Sequence, residues 1–102
     1  MFNTDVVCSR NASGEVSTNV PRSIVRHSPD GFEWGYGGSG PADFALNILV
    51  AFIGQSAADN LYQKFKWEFI ATLPREGDVI RREDILNWIE ANTETTIVEA
   101  GN

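Results

Sequence analysis

Gly37-Gly38-Ser39-Gly40-Pro41-Ala42-Asp43-Phe44-Ala45-Leu46-Asn47-Ile48-Leu49-Val50-Ala51-Phe52-Ile53 is the stretch on which the fold turns. Pro41 suits the first position of a helix, where its missing N–H costs nothing. Asp43 is expected in the first turn, where the helix dipole favours a carboxylate. From Phe44 to Ile53 only Asn47 is polar. A helix apolar nearly all round is a buried one, so 41–53 reads as the central helix against which a sheet packs. Gly54 ends it.

Upstream, Asp5-Val6-Val7-Cys8-Ser9 and Glu15-Val16-Ser17-Thr18-Asn19-Val20 read as strands joined by the turn Asn11-Ala12-Ser13-Gly14, whose residues tolerate positive φ. Pro21 ends or bends the second. Ile24-Val25-Arg26-His27 reads as a third strand, closed by the turn Ser28-Pro29-Asp30-Gly31, and Phe32-Glu33-Trp34-Gly35-Tyr36 as a fourth. Downstream, residues 57–73 satisfy two periods. Leu61, Phe65, Phe69 and Leu73 recur every four residues, while Phe65, Trp67, Phe69, Ala71 and Leu73 also alternate. A helix over 57–64 and a strand over 65–73 is the favoured division, with one continuous helix left open. Pro74-Arg75-Glu76-Gly77-Asp78 reads as a turn. Arg82 to Ala91 reads as an amphipathic helix with Glu83 and Asp84 in its first turn and a stripe of Ile85, Trp88 and Ile89. Residues 93–102 read as a frayed polar tail. The expected class is α+β: a small antiparallel sheet from the N-terminal half, packed on the 41–53 helix and a C-terminal helix over 82–91.

Length and composition bound the rest. The 102 residues, 42 % hydrophobic and 22 % charged, make one folded domain with a modest core. One cysteine, Cys8, rules out an internal disulfide, and with the single His27 it excludes a Cys/His zinc site. The net charge of −6 argues against direct binding of a nucleic-acid backbone. No apolar run reaches a membrane span and the N-terminus lacks the features of a signal peptide, so the expected location is the cytoplasm. The charge is uneven: −1 over residues 1–40 and −5 over 41–102.

Several segments bear on chemistry. Gly35-Tyr36-Gly37-Gly38-Ser39-Gly40 matches the dinucleotide pattern G-x-G-x-x-G, but no second strand ending in an acidic residue follows. Asp43 would also oppose a phosphate there, and no Lys follows the last glycine as a Walker loop requires. The glycines read instead as a tight strand-to-helix corner, with a loop offering amide donors to a small polar ligand or partner as the sharper use. Phe32, Trp34 and Tyr36 should share one strand face, packed on the helix or exposed to a partner. Stacking of single-stranded bases there would need basic neighbours, for which only Arg22, Arg26 and Lys66 are candidates. His27-Ser28-Pro29-Asp30 juxtaposes triad residue types without triad geometry and reads as a turn. Cys8 reads as a small core residue with nothing to activate it.

The phrase from Arg26 to Leu49, with Phe65-Lys66-Trp67-Glu68-Phe69-Ile70-Ala71 and Ile85-Leu86-Asn87-Trp88-Ile89, resembles the signature of a family of small proteins carrying a domain of unknown function. That family is found in bacteria, phages and other mobile elements. The resemblance spans about residues 22–90 and implies genetic context rather than an activity.

The resulting expectation is a non-catalytic phage or mobile-element protein without cofactor or metal. It binds a host protein, for instance a nucleic-acid-guided defence complex that it inhibits in the manner of an anti-CRISPR protein. The acidic partner surface would comprise Glu68, Glu76, Asp78, Glu83, Asp84 and Glu90, and the ligand or partner loop Trp34, Tyr36, Gly37, Gly38, Ser39 and Gly40. The alternative is a module that holds a nucleotide or other anion on the glycine loop, with Ser39, Tyr36 and Arg26. A carboxylate-only enzyme has no supporting spacing. The oligomeric state stays open, a homodimer included.

Overall fold

The structure, a computed structural model, describes residues 2–101, with side chains described through residue 93. Strand β1 (Val6–Arg10) lies between β2 (Val16–Thr18) and β3 (Gly77–Ile80) in an antiparallel three-stranded sheet. Cys8 faces Thr18 on one side and Asp78 on the other. Helix α1 (Ser39–Ile53) passes through Gly54 into α2 (Gln55–Phe65). That helix runs straight into a π-helical turn over Lys66–Ile70, and α3 (Arg82–Gly101) follows β3. The fold is α+β, a small antiparallel sheet with three helices. The expected frayed tail over 93–102 falls almost wholly outside the residues whose side chains are described.

One hydrophobic cluster unites these elements. Val6, Cys8 and Ile80 from the inner face of the sheet join Phe44, Leu46, Ile48 and Leu49 of α1, with Phe65, Ile70 and Ile85. Alternation along β1 sends Val6 and Cys8 inward and leaves Val7 and Ser9 exposed, as a one-sided antiparallel sheet requires. Phe65, Phe69 and Trp88 form an aromatic cluster, with Phe65 and Phe69 stacked at 4.7 Å and Trp88 edge-on to both.

Four local expectations are corrected. Residues 24–27 and 32–36 are not strands but irregular chain. Their backbone is held by side chains of α1 and by core packing instead of a ladder. The third strand of the sheet comes from Gly77–Ile80, part of which reads as turn; four residues are too few to display a period. Residues 65–73 do not form a strand. The helical period wins because α2 already presents Phe65 to the core and the π turn, closed by Ala71 N–H donating to Lys66 O at 2.8 Å, carries Ile70 inward as well. Finally, α1 starts two residues before Pro41, which moves Asp43 out of the first turn.

Displaced from the dipole, Asp43 has another task. Its fully buried carboxylate accepts the backbone N–H groups of Arg26 at 3.2 Å, His27 at 2.9 Å and Ser28 at 2.9 Å. One turn further on, Asn47 Oδ1 accepts the N–H groups of Ser23 and Ile24 at 2.8 and 2.9 Å. Its Nδ2 donates to Ile24 O and Asp43 O. Residues four apart share a helix face, so this pair forms a polar seam that holds residues 23–28 against α1. Every buried side-chain polar atom among the described residues has a partner, as buried polar groups require.

Candidate partner and ligand site

The glycine corner connects this loop to α1. Gly35 has φ +88° and donates its N–H to Ile70 O, the end of the π turn, at 3.0 Å. That left-handed conformation breaks the expected alternation of the aromatic residues. Phe32 and Trp34 pack on Phe44, with ring centroids 5.1 and 5.8 Å away. Tyr36, past the turn, is thrown outward and is 53 % exposed. Trp34 is thus a core residue whose small exposed edge borders the neighbouring cleft.

At Gly37 the backbone touches the indole of Trp67, so that a β-carbon would fall on the ring. At Gly38 a β-carbon would stand 2.5 Å from the ring of Tyr36, and at Gly40 it would stand 2.7 Å from Cβ of Glu33. The corner is therefore a place of close backbone approach, as the sequence suggests. Lys66, nearly buried, donates from Nζ to Gly37 O at 3.0 Å and lies 4.5 Å from the Trp67 ring centroid. Trp67 itself is 59 % exposed. Of the eleven aromatic residues, only Tyr36 and Trp67 are exposed, and both pack on consecutive glycines of one corner.

Beside Tyr36 lies a cleft of about 370 Å³ walled by Arg10, Glu33, Trp34, Tyr36, Leu73 and Arg75. Arg10 and Glu33 form a two-pronged ion pair at 2.6 and 3.0 Å, the geometry in which a guanidinium matches a carboxylate. Arg10 Nε donates to Arg75 O at 2.9 Å, and the guanidinium lies over Trp34 at 5.1 Å. The Arg10 side chain is only 7 % exposed. Its hydrogen bond and charge hold the Glu33 carboxyl below its ordinary range, against a smaller opposing effect of burial. A second depression of about 450 Å³, also bordered by Tyr36, is lined by Asp30, Phe32, Glu33 and Ser39 among others.

The remaining expected residues disperse. Ser39 is exposed at the start of α1 and Gly40 is buried. Glu68, Glu76, Asp78, Glu83, Asp84 and Glu90 are all exposed but lie on the π turn, the β3 region and α3. Glu68 accepts the indole N–H of Trp88 at 2.9 Å, and Glu83 lies 3.6 Å from Arg81. Arg26 pairs with Asp59 at 2.7 Å, remote in sequence from the glycine corner. His27 Nε2 shares a 2.8 Å hydrogen bond with Tyr62 Oη. Cys8 is buried, and burial raises its thiol pKa. Sequence reading missed Arg10, Trp67 and Arg75. Only the coincidence of Trp67 with a doubly periodic segment hinted that this residue sits off the core. Among the described residues no three potential metal ligands gather and no helix is long and apolar enough to cross a membrane.

A family of unknown function, DUF6166, matches residues 2–91. The chain belongs to that family. The DUF6166 match takes in both N-terminal strands, the glycine corner, the π turn and the first part of α3, a wider span than the motifs alone suggest. No curated protein and no solved structure matches the chain.

Proposed function

We propose that this DUF6166 protein is a non-catalytic binding protein whose contact centre is the pair Tyr36 and Trp67 on the glycine corner. The observation that supports it is the exposure of those two rings while the other nine aromatic residues are buried or half-buried. Tyr and Trp dominate the energetics of protein interfaces because they bury large area at small entropic cost. Here the backbone of Gly37 and Gly38 braces both rings before any partner arrives, which lowers that cost further. The net charge of −6 favours approach to a basic protein surface, chiefly through association rate. The mobile-element setting implied by the sequence resemblance makes that partner a host protein. A nucleic-acid-guided defence complex, with its basic groove, is the class that best complements the acidic residues.

The test is capture from host lysate by the wild-type chain and by a Tyr36→Ala/Trp67→Ala variant, at low and high salt. A protein retained by the first, lost by the second and weakened by salt supports the reading. Identical capture profiles for the two chains would overturn it.

A further inference from the structure

The cleft beside Tyr36 has features that partner contact does not use. Its walls hold three charged side chains, Arg10, Glu33 and Arg75. Arg10 and Glu33 form a two-pronged pair and Arg75 acts on the same carboxylate through charge alone, which leaves the three with one net positive charge in a cleft of a chain with net charge −6. Among the described residues the Arg75 guanidinium has no hydrogen-bond or ion-pair partner, and the Tyr36 hydroxyl has no hydrogen-bond partner. The main chain of Arg75 is by contrast fixed, because its carbonyl accepts both Arg10 Nε and Trp34 Nε1 at 2.9 Å. An exposed arginine on an anchored backbone, next to a half-exposed ring, is an incomplete recognition pair. Leu73 supplies an apolar wall, and about 370 Å³ is within the range of small-molecule clefts.

We propose that this cleft binds a small planar aromatic ring carrying one phosphate or carboxylate. The ring lies against Tyr36 and Leu73, and the anionic group engages the planar fork of Arg75, which suits both phosphate and carboxylate. Arg10 does not serve as the anion's partner, since Glu33 already occupies its fork. Inorganic anions alone lack the stacking contribution that a planar ring gains on an aromatic side chain. The backbone amides of Gly37, Gly38 and Gly40 play no direct part, and the proposal does not depend on the protein-partner reading.

Titration of the isotope-labelled full chain, followed by amide chemical shifts, provides the test. The probes are adenosine 5′-monophosphate, indole-3-carboxylate, adenosine and inorganic phosphate. The first two should bind and move the Tyr36, Leu73 and Arg75 signals, while adenosine and phosphate should each bind about ten-fold more weakly or worse. Preference between the first two identifies whether the anionic group is a phosphate or a carboxylate. Arg75→Gln, at an exposed position, should keep the wild-type melting temperature and lose about ten-fold or more in affinity. The proposal is overturned by the absence of binding at millimolar probe, by equal binding to Arg75→Gln, or by shifts confined to other parts of the chain. Partner capture by Arg75→Gln, scored separately, tells failure of the cleft from failure of the aromatic corner.

Discussion

Asp43 Oδ1 accepts the backbone N–H of His27 at 2.9 Å across sixteen positions of sequence, inside a core from which the carboxylate is wholly excluded from solvent. A buried carboxylate is costly unless it is fully hydrogen-bonded. Here three successive amides of an irregular loop meet that need, and the loop in turn gains the partners that a strand ladder would have supplied. Neither the loop nor the charge could keep its place without the other.

Asp43→Ala should therefore be among the most damaging single changes in the chain. It leaves the amides of residues 26–28 without acceptors, that of Ser28 buried and those of Arg26 and His27 part-buried, at roughly 1–3 kcal/mol for a buried group left unmade. Against a typical total stability of about 5–15 kcal/mol, that loss leaves a marginal fold. Chemical denaturation should show a loss of about 3–5 kcal/mol for Asp43→Ala. Asp43→Asn, which keeps an acceptor oxygen but not the charge, should lose clearly less. Equal losses in the two variants would mean that the amides are not what the carboxylate serves.

Gly37→Ala tests the corner itself. The added methyl would fall on the Trp67 indole, and the ring must swing away from Lys66 to make room. Since Trp67 is largely exposed it can yield, so the loss should sit at the low end of overpacking, about 1 kcal/mol. Tryptophan emission should shift at the same time. In a Trp67→Ala background the same glycine change should be close to neutral, because the obstacle is gone. A full loss in both backgrounds would place the strain in the backbone and not in the ring contact.

What could be seen in the sequence follows from the range of the interactions involved. The helix over α1 and the strands β1 and β2 rest on local period and turn chemistry, and they are found there, with α1 starting two residues early and β2 shortened to Val16–Thr18. The glycine corner is legible too, because several glycines before a proline leave few uses other than close approach. The strands expected at 24–27 and 32–36 fail for different reasons: Asp43 and Asn47 compete for the backbone of the first from a distant helix, and Gly35 reverses the side-chain alternation in the second. The clue was present in Asn47, the one polar residue of an apolar helix, whose partners no single sequence discloses. The cleft was invisible because Arg10, Glu33 and Arg75 come from three separate segments.

Cys8 offers a readout of global opening. Its thiol sits in the core within 3.5 Å of Asp78 O, and burial, with a smaller contribution from the nearby Asp78 charge, raises its pKa. Both inaccessibility and the shortage of thiolate slow alkylation. Labelling in native buffer should be slow and should accelerate with denaturant in step with unfolding followed by circular dichroism. Fast labelling of the native chain at neutral pH would show that β1 separates from β3 without global unfolding.

Glu33 should give the acid limb of the stability profile part of its slope. The Arg10 hydrogen bond holds the folded carboxyl below its ordinary value of 4.5. A depressed folded pKa contributes stability that is fully present above the unfolded value and disappears as pH falls through the folded one. The pair thus stabilises at neutral pH, and its contribution should fade below about pH 4.5. Glu33→Gln removes the titrating group while keeping the shape. Its melting temperature should lie several degrees below wild type at pH 7, and the two curves should converge as the pH is lowered through the acid range. Because the Arg10 side chain is largely shielded from solvent, added salt should narrow the gap at pH 7 only slightly. Parallel curves from pH 7 to pH 3, with the gap unchanged, would show that Glu33 acts through packing alone and that its charge adds nothing to the fold.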